Sequence, residues 1–433
     1  GIIVIRDSIA SGKTDKDKLC EAIDKELKGE GLNEKEKKVL SDIKNEICVG
    51  TTIKLDPNNP KYHYNNALAL AELGRYEEAI REFDKAIELD PNESKYHNNK
   101  GAVLADLKLY NEAIREYDIA IELDPDNPLF HYNKGIVLAE LGRFEEAIRE
   151  YDKAIELDPK DPRYHGNKGA ALYMLDRYED AIKEFDKAIE LDPNNPIYHY
   201  NKAHILLDLR QYEEAIEEFN KAIELDPNEP IYHYDKGNVL YGLRRLAEAI
   251  REYDIAIELN PNNPKYHFIK GVALLELKQF EGAIKEIDIA IELDPNNPGY
   301  HYNEGKALAE LKQFEGAIRE FDKAIELAQE SPILRSIFHY AKARALTESG
   351  HYEEAIKEYE EAIKLNPDNP EYHGDKGALL LELKQFEGAI REFDKAIELD
   401  PNNPEYYFNK GRVLLELKQF EGAIREFDKA IEL

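Results

Sequence analysis

From Pro60 onward the apolar positions fall into two short helical stripes separated by a break, and the pair of stripes returns every 34 residues. The first stripe carries His63, Ala67 and Leu70, with Leu73 below them. The second carries Tyr76, Ala79, Ile80, Phe83, Ala86 and Ile87. Both follow the 3.6-residue spacing of one helix face. Asn59-Pro60 predicts the start of the first helix, with Asn as N-cap and Pro at the first helical position, where its missing N–H costs nothing. Gly74-Arg75 marks the break. Asp90-Pro91 ends the second helix, because Pro91 disfavours helical geometry at Asp90 and donates no hydrogen bond back.

A fixed period of this length is read before any local motif. Counting Pro60 as slot 1, eleven units start at Pro60, Ser94, Pro128, Pro162, Pro196, Pro230, Pro264, Pro298, Ser336, Pro370 and Pro404. Slot 8 is always Gly or Ala, from Ala67 to Gly411, and slots 20 and 27 are always Ala. Slot 24 is large: Phe83, Tyr117, Tyr151, Phe185 and onward, with Ile287 the one aliphatic member. Small residues at fixed points let two helix backbones approach closely, and a bulky residue there overpacks by roughly 1–3 kcal/mol.

These slots, with Pro at slot 32 in nine units, resemble the tetratricopeptide repeat family over most of the chain, from Pro60 to Leu433. The resemblance implies an all-α fold, a right-handed superhelical solenoid of helix-turn-helix units. Two positions depart from the family pattern. Its usual Trp at slot 4 is His in ten units and Tyr407 in the last, and its usual Leu at slot 7 is mostly Lys, as at Lys100, Lys134 and Lys168. The small and aromatic packing slots are intact, so the fold expectation stands; fold alone does not fix function.

Residues 1–59 lack the repeat. Asp15 to Lys28 and Asn33 to Ile47 read as two amphipathic helices, and Thr51 to Pro57 echoes the end of a unit. The expectation is a degenerate capping hairpin over 1–59, repeats 1–8 over 60–335 and repeats 9–11 over 336–433. Terminal units of a solenoid need such covers. The boundary at 335 comes from a slip in register: His339 follows His301 by 38 residues instead of 34. Four extra residues are about one helical turn, so the first helix of repeat 9 should start one turn early, at Ser331-Pro332. The units at Glu276, Glu310, Glu382 and Glu416 share ELKQFEGAI, which points to duplication of a binding surface rather than of an active site. Leu433 falls inside the final turn of the last helix, so either the natural chain continues or an apolar end stacks on another copy.

Charge narrows the partners. The 89 acidic and 58 basic residues give a formal charge of −31, which opposes phosphate-backbone binding and favours a basic partner. The two cysteines, Cys20 and Cys48, form no disulfide framework and suggest a reducing compartment, the cytoplasm, with export to another cell left open. No apolar run approaches the ~20 residues of a membrane span. Ser11-Gly12-Lys13-Thr14 lacks the glycine five residues upstream that a phosphate loop needs and has Asp7 there. Nothing in the chain reads as catalytic, and no cofactor is expected.

In this family the first helices line the concave face, and the resemblance places slots 2, 5, 6, 9, 12 and 13 there. Slot 5 is mostly aromatic: Tyr64, Tyr132, Tyr200, Tyr234, Phe268, Tyr302, Tyr340 and Phe408. Slot 6 is mostly Asn: Asn65, Asn99, Asn133, Asn167, Asn201, Asn303 and Asn409. Slot 13 is mostly acidic, from Glu72 to Glu416. Asn can pair with both N–H and C=O of an extended peptide backbone, as Asn ladders do in some relatives. Aromatic faces pack apolar side chains or stack on cations, and an acidic rung favours Lys or Arg. Slot 5 contains no Lys, so the carboxylate clamp that some relatives use for acidic tails is not expected. The cations at slot 9 (Lys306, Arg344, Arg412) each precede a Glu by four residues and read as helix-surface ion pairs. The histidine column of slot 4 is assigned to packing and not to metal, because equivalent histidines in successive units stand too far apart for one ion.

The leading expectation is a non-enzymatic scaffold that binds an extended peptide or partner protein in its groove. Two alternatives stand beside it: the repeat region of a larger enzyme such as a glycosyltransferase, and a structural solenoid that self-associates through its uncapped C-terminal end.

Overall fold

The computed structural model describes residues 58–433, together with Ser41. The hairpin expected over 1–59 and the Ser11–Thr14 reading lie outside the described residues, save that Ser41 is helical and Asn58 and Asn59 lead into the first repeat. The chain divides into two compact units, with the division between Leu225 and Asp226. The first holds repeats 1–5 and the second repeats 6–11, and the register slip lies inside the second.

Among the described residues 22 helices pair into eleven hairpins and no strand occurs. In repeat 1 the A helix is Pro60–Glu72 and the B helix Tyr76–Leu89. The Asn59 side chain accepts a hydrogen bond from the Lys61 N–H at 3.0 Å, which satisfies one of the orphan donors of the first turn. The A helix then closes through a left-handed residue: the Gly74 N–H donates to the Ala71 carbonyl and the Arg75 N–H to the Leu70 carbonyl, both at 2.9 Å. Gly74, Gly142 and Gly350 fill that position in three repeats; Lys, Arg or Asp fills it in the other eight, from Lys108 (φ 61°) to Lys418 (φ 59°). The B helix carries Glu77 and Glu78 in its first turn, where negative charge suits the helix dipole.

Each hairpin closes on its slot-24 side chain. Phe83, Tyr151 and Phe393 are fully buried, and so are Ala79, Ala86 and their equivalents in repeats 2–10. Burying such an aromatic contributes roughly 1.5–3 kcal/mol. Glycine at slot 8 leaves room for it: a Cβ added at Gly135 would lie 2.5 Å from Tyr151 Cε1, and one at Gly305 would lie 2.7 Å from Phe321 Cε1.

The A helix of repeat 9 is Pro332–Glu348, 17 residues against 13 in repeat 8 (Pro298–Glu310). The extra turn is at its start, where the Ser331 side chain accepts from the Leu334 N–H at 3.4 Å. At repeat 11 the A helix Pro404–Glu416 and B helix Phe420–Glu432 leave a cleft lined by Pro404, Glu405, Phe408, Phe427, Ala430 and Ile431. Phe408 is 50% exposed and Ile431 82%. No helix among the described residues is long and apolar enough to cross a membrane.

Candidate functional site

The ladder tyrosines are wedged between repeats. Tyr64 packs on its own slot-24 Phe83 (ring centroids 6.0 Å) and on Tyr96 of the next repeat (5.0 Å). Tyr132 meets Tyr164 at 4.9 Å, Tyr234 meets Tyr266 at 4.9 Å, Phe268 meets Tyr300 at 4.6 Å and Tyr340 meets Tyr372 at 4.7 Å. Their partners form a slot-3 column, aromatic in every repeat from Tyr62 to Tyr406, which sequence reading passed over. Where slot 5 is glycine, the same partner takes its place: a Cβ at Gly166 would fall 2.6 Å from Tyr198 Cε1, and one at Gly374 would fall 2.6 Å from Tyr406 Cε1. The ladder rings remain half-buried, whereas Phe408, in the last repeat, is exposed. Burial raises the Tyr64, Tyr132 and Tyr302 hydroxyls above the ordinary tyrosine value, so they stay protonated.

The asparagines connect to these tyrosines across the repeat boundary. Asn99 Nδ2 donates to the Tyr64 hydroxyl and Asn167 Nδ2 to the Tyr132 hydroxyl, both at 2.7 Å. In repeat 2 slot 5 is Asn98, and it continues the chain: Asn133 Nδ2 donates to Asn98 Oδ1 at 2.9 Å, and Asn98 Nδ2 to Asn99 Oδ1 at 3.2 Å. The bond depends on a polar acceptor at slot 5 of the preceding repeat. Asn303 follows Phe268, which has none, and turns back to the Gly299 carbonyl of its own helix at 2.8 Å. Asn409 follows Gly374 and accepts from Arg412 at 3.2 Å. In repeat 10 the slot is Asp375, which accepts from the Tyr340 hydroxyl at 2.8 Å. Asn65 is exposed on repeat 1, and Asn201 is half-buried. Tyr200 packs on Phe219 at 5.9 Å.

The slot-13 carboxylates Glu72, Asp106, Glu140, Asp208, Glu276, Glu310, Glu348, Glu382 and Glu416 are all exposed. Tyr173 donates to Asp208 at 2.7 Å, and Glu276 accepts from Tyr241 and Arg244. Two slot-9 cations stand on rings, where sequence reading expected ion pairs. Lys306 lies over the Tyr302 ring at 5.5 Å, and Arg344 over the Tyr340 ring at 5.9 Å with Asp375 at 3.9 Å. Arg163, at slot 2, stands over Tyr132 at 5.4 Å. This face already holds cations on aromatic rings.

The two departures from the family pattern prove to be one arrangement. Histidine at slot 4 pairs through Nδ1 with Glu at slot 23 of the B helix: His97 with Glu116, His165 with Glu184 and His373 with Glu392, each at 2.7 Å. Lysine at slot 7 then bridges that Glu to the slot-25 acid of the preceding repeat. Lys134 lies 2.6 Å from Glu150 and 2.8 Å from Asp118; Lys168 lies 2.6 Å from Glu184 and 2.8 Å from Asp152. Burial alone would raise the Glu116 carboxyl, but the His97 and Lys100 hydrogen bonds outweigh it and hold it below the usual value. A polar cluster thus replaces the apolar Trp and Leu of the family pattern, and in repeats 2–5, 7 and 9–11 its lysine ties the repeat to the one before.

Repeat 8 breaks the tetrad. Its slot 7 is Glu304, beside His301, Glu320 and, from repeat 7, Asp288. Burial and the Glu320 and Asp288 charges push the Glu304 carboxyl up to about 8.

A family model described as tetratricopeptide repeat matches residues 49–94, 64–128, 98–162, 132–196, 167–230, 234–298, 273–332 and 340–404, and a second of the same description matches 392–425. Comparison with the curated proteins returns no match. Among solved structures, the C-terminal part of a TPR repeat-containing protein from Cytophaga hutchinsonii is 18% identical over 56% of this chain and 97% of its own, with a TM-score of 0.50, a likeness of fold. MamA from Desulfovibrio magneticus RS-1 is 25% identical over 39% of this chain and 96% of its own (TM-score 0.38). YrrB, titled a TPR protein with an unusual peptide-binding site, is 25% identical over 41% of this chain and 92% of its own (TM-score 0.36).

Proposed function

The chain belongs to the tetratricopeptide repeat family, and from that premise we propose that it is a non-enzymatic scaffold that holds an extended, basic peptide or partner segment along its A-helix ladder. The observation that carries this reading is the coupling of Asn99 to Tyr64 and of Asn167 to Tyr132 at repeat spacing. A carboxamide has two donors and two acceptor lone pairs. One donor is spent on the tyrosine and restrains the amide plane. The other donor and the acceptor capacity suit a peptide backbone, and a pre-oriented group loses less entropy on binding. The exposed acidic rung selects Lys and Arg. The test is an unbiased peptide array probed with the purified chain and with a triple variant, Asn133, Asn167 and Asn201 each changed to Ala. Binding of basic peptides by the parent and its loss in the variant supports the groove; equal binding by both places the function elsewhere.

A second reading rests on the cleft at repeat 11. It is lined by Phe427 and by Phe408 (ring centroids 5.7 Å apart), whose slot in inner repeats packs on the next repeat's slot-3 aromatic. Self-association there predicts a mass that rises with concentration in sedimentation; a monomer at high concentration excludes it.

A further inference from the structure

We propose that His301, Glu304 and Glu320 of repeat 8 form a site for one divalent cation of the zinc class. The three side chains each present a ligand atom, and these atoms all lie within 4.8 Å of one another. His301 is nearly fully buried. Its Nε2–H donates to the Pro295 carbonyl at 3.1 Å, which leaves Nδ1 as the ligating nitrogen, 2.8 Å from Glu320 Oε2. Zinc-binding histidines are commonly oriented by such a bond from the second ring nitrogen.

The sister repeats supply an independent reason to expect a cation. In repeat 7 the Lys270 ammonium sits 2.6 Å from Glu286 and 2.7 Å from Asp254. In repeat 9 the Lys342 ammonium sits 2.7 Å from Glu358 and 2.7 Å from Asp322. Repeats 2, 3, 4, 5, 10 and 11 place a lysine between the same two slots. Repeat 8 keeps the histidine and both acidic slots but exchanges the lysine for a third carboxylate. The place that holds positive charge in the sister tetrads is lined here by the carboxyl groups of Glu304, Glu320 and Asp288, with Glu304 hydrogen-bonded to Asp288. The nearby Lys323 pairs with Glu326 at 3.0 Å. One imidazole and two carboxylates with a position left for water is a donor set that zinc accepts, with bonds of ~2.0–2.2 Å.

The test uses the full, untagged chain, stripped with chelator and titrated with zinc chloride against a chromogenic competitor, beside the variant Glu304→Lys. That substitution restores the sister tetrad, so the variant is expected to fold; Cys20 and Cys48 are common to both proteins. The expected result is one more zinc ion per chain in the parent, and a zinc-dependent rise in Tm that the variant lacks. Equal uptake and equal Tm response in both proteins, or no uptake by either, overturns the site.

Discussion

The same substitution, glycine to alanine, should change stability in opposite directions at two positions of this chain. Gly135 faces Tyr151, which is fully buried; an added Cβ falls 2.5 Å from Cε1 and 2.8 Å from Cδ1. Non-bonded carbons rest about 3.5–4.0 Å apart, so ring or helix must move by about 1 Å. Overpacking of that kind costs roughly 1–3 kcal/mol, and the better helix propensity of alanine returns about 1 kcal/mol. Gly135→Ala should therefore destabilise repeat 3 by about 1 kcal/mol. Gly282 is exposed in the B helix Phe280–Leu293, and an added Cβ meets Leu274 Cδ1 at an ordinary 3.6 Å. Gly282→Ala should stabilise repeat 7 by about 0.5 kcal/mol through the unfolded chain alone. Because stability in a repeat array is local, the assay is amide hydrogen exchange resolved by repeat, alongside the urea midpoint. Faster exchange around Ala147 in the first variant and slower exchange around Ala283 in the second is the expected pair. Protection that rises equally in both variants would refute the steric account of slot 8.

Other predictions follow from the tetrads, the turns and the ladder. Lys168→Met strands the Glu184 and Asp152 carboxylates and should cost about 1–2 kcal/mol, read as a lower urea midpoint. Glu218 is held down to about 2, the His199 and Lys221 hydrogen bonds outweighing the opposing effect of burial, against 4.5 unperturbed. A depressed carboxyl contributes stability that is present above its unfolded value and lost as pH falls through the folded one. Tm should therefore fall between about pH 5 and 2, and Glu218→Gln should make that decline shallower; an identical slope in the variant counts against the pairing. At the left-handed turn, Lys384→Gly (φ 58°) should gain about 0.5–1 kcal/mol and Gly142→Ala (φ 73°) should lose about 1 kcal/mol, measured by thermal melts. Tyr132→Phe removes the hydroxyl that receives Asn167 and should weaken peptide affinity about fivefold, the ~1 kcal/mol of one hydrogen bond, with little change in Tm.

The hairpins were legible because their packing repeats at single slots. Ala79, Phe83 and Gly135 each belong to a column that stays small or large down the chain, and a column is visible by comparing units. The one-turn extension of repeat 9 was legible for the same reason, as a slip between His301 and His339. The tetrads were not, because their contacts join different slots: His97 reaches 19 residues to Glu116, and Lys100 reaches 16. The signal was present, since every unit with His at slot 4 has Glu at slot 23. Comparing histidines only with one another hid it, and with it the odd composition of repeat 8. The Asn–Tyr bonds escaped likewise, spanning 35 residues from slot 5 of one repeat to slot 6 of the next. Reading slot 5 against slot 6 explains why Asn303, which follows Phe268, bonds within its own helix.

The side-chain amide resonances of the ladder test the central claim most directly. In a deuterated, nitrogen-labelled chain, the NH₂ signals of Asn99, Asn133 and Asn167 can be assigned by single Ala variants and followed while a basic peptide selected from the array is added. The account predicts that these signals shift in step with binding, while those of the turn residues Asn194 and Asn195 stay in place. Saturable binding that leaves the ladder amides unmoved would contradict it.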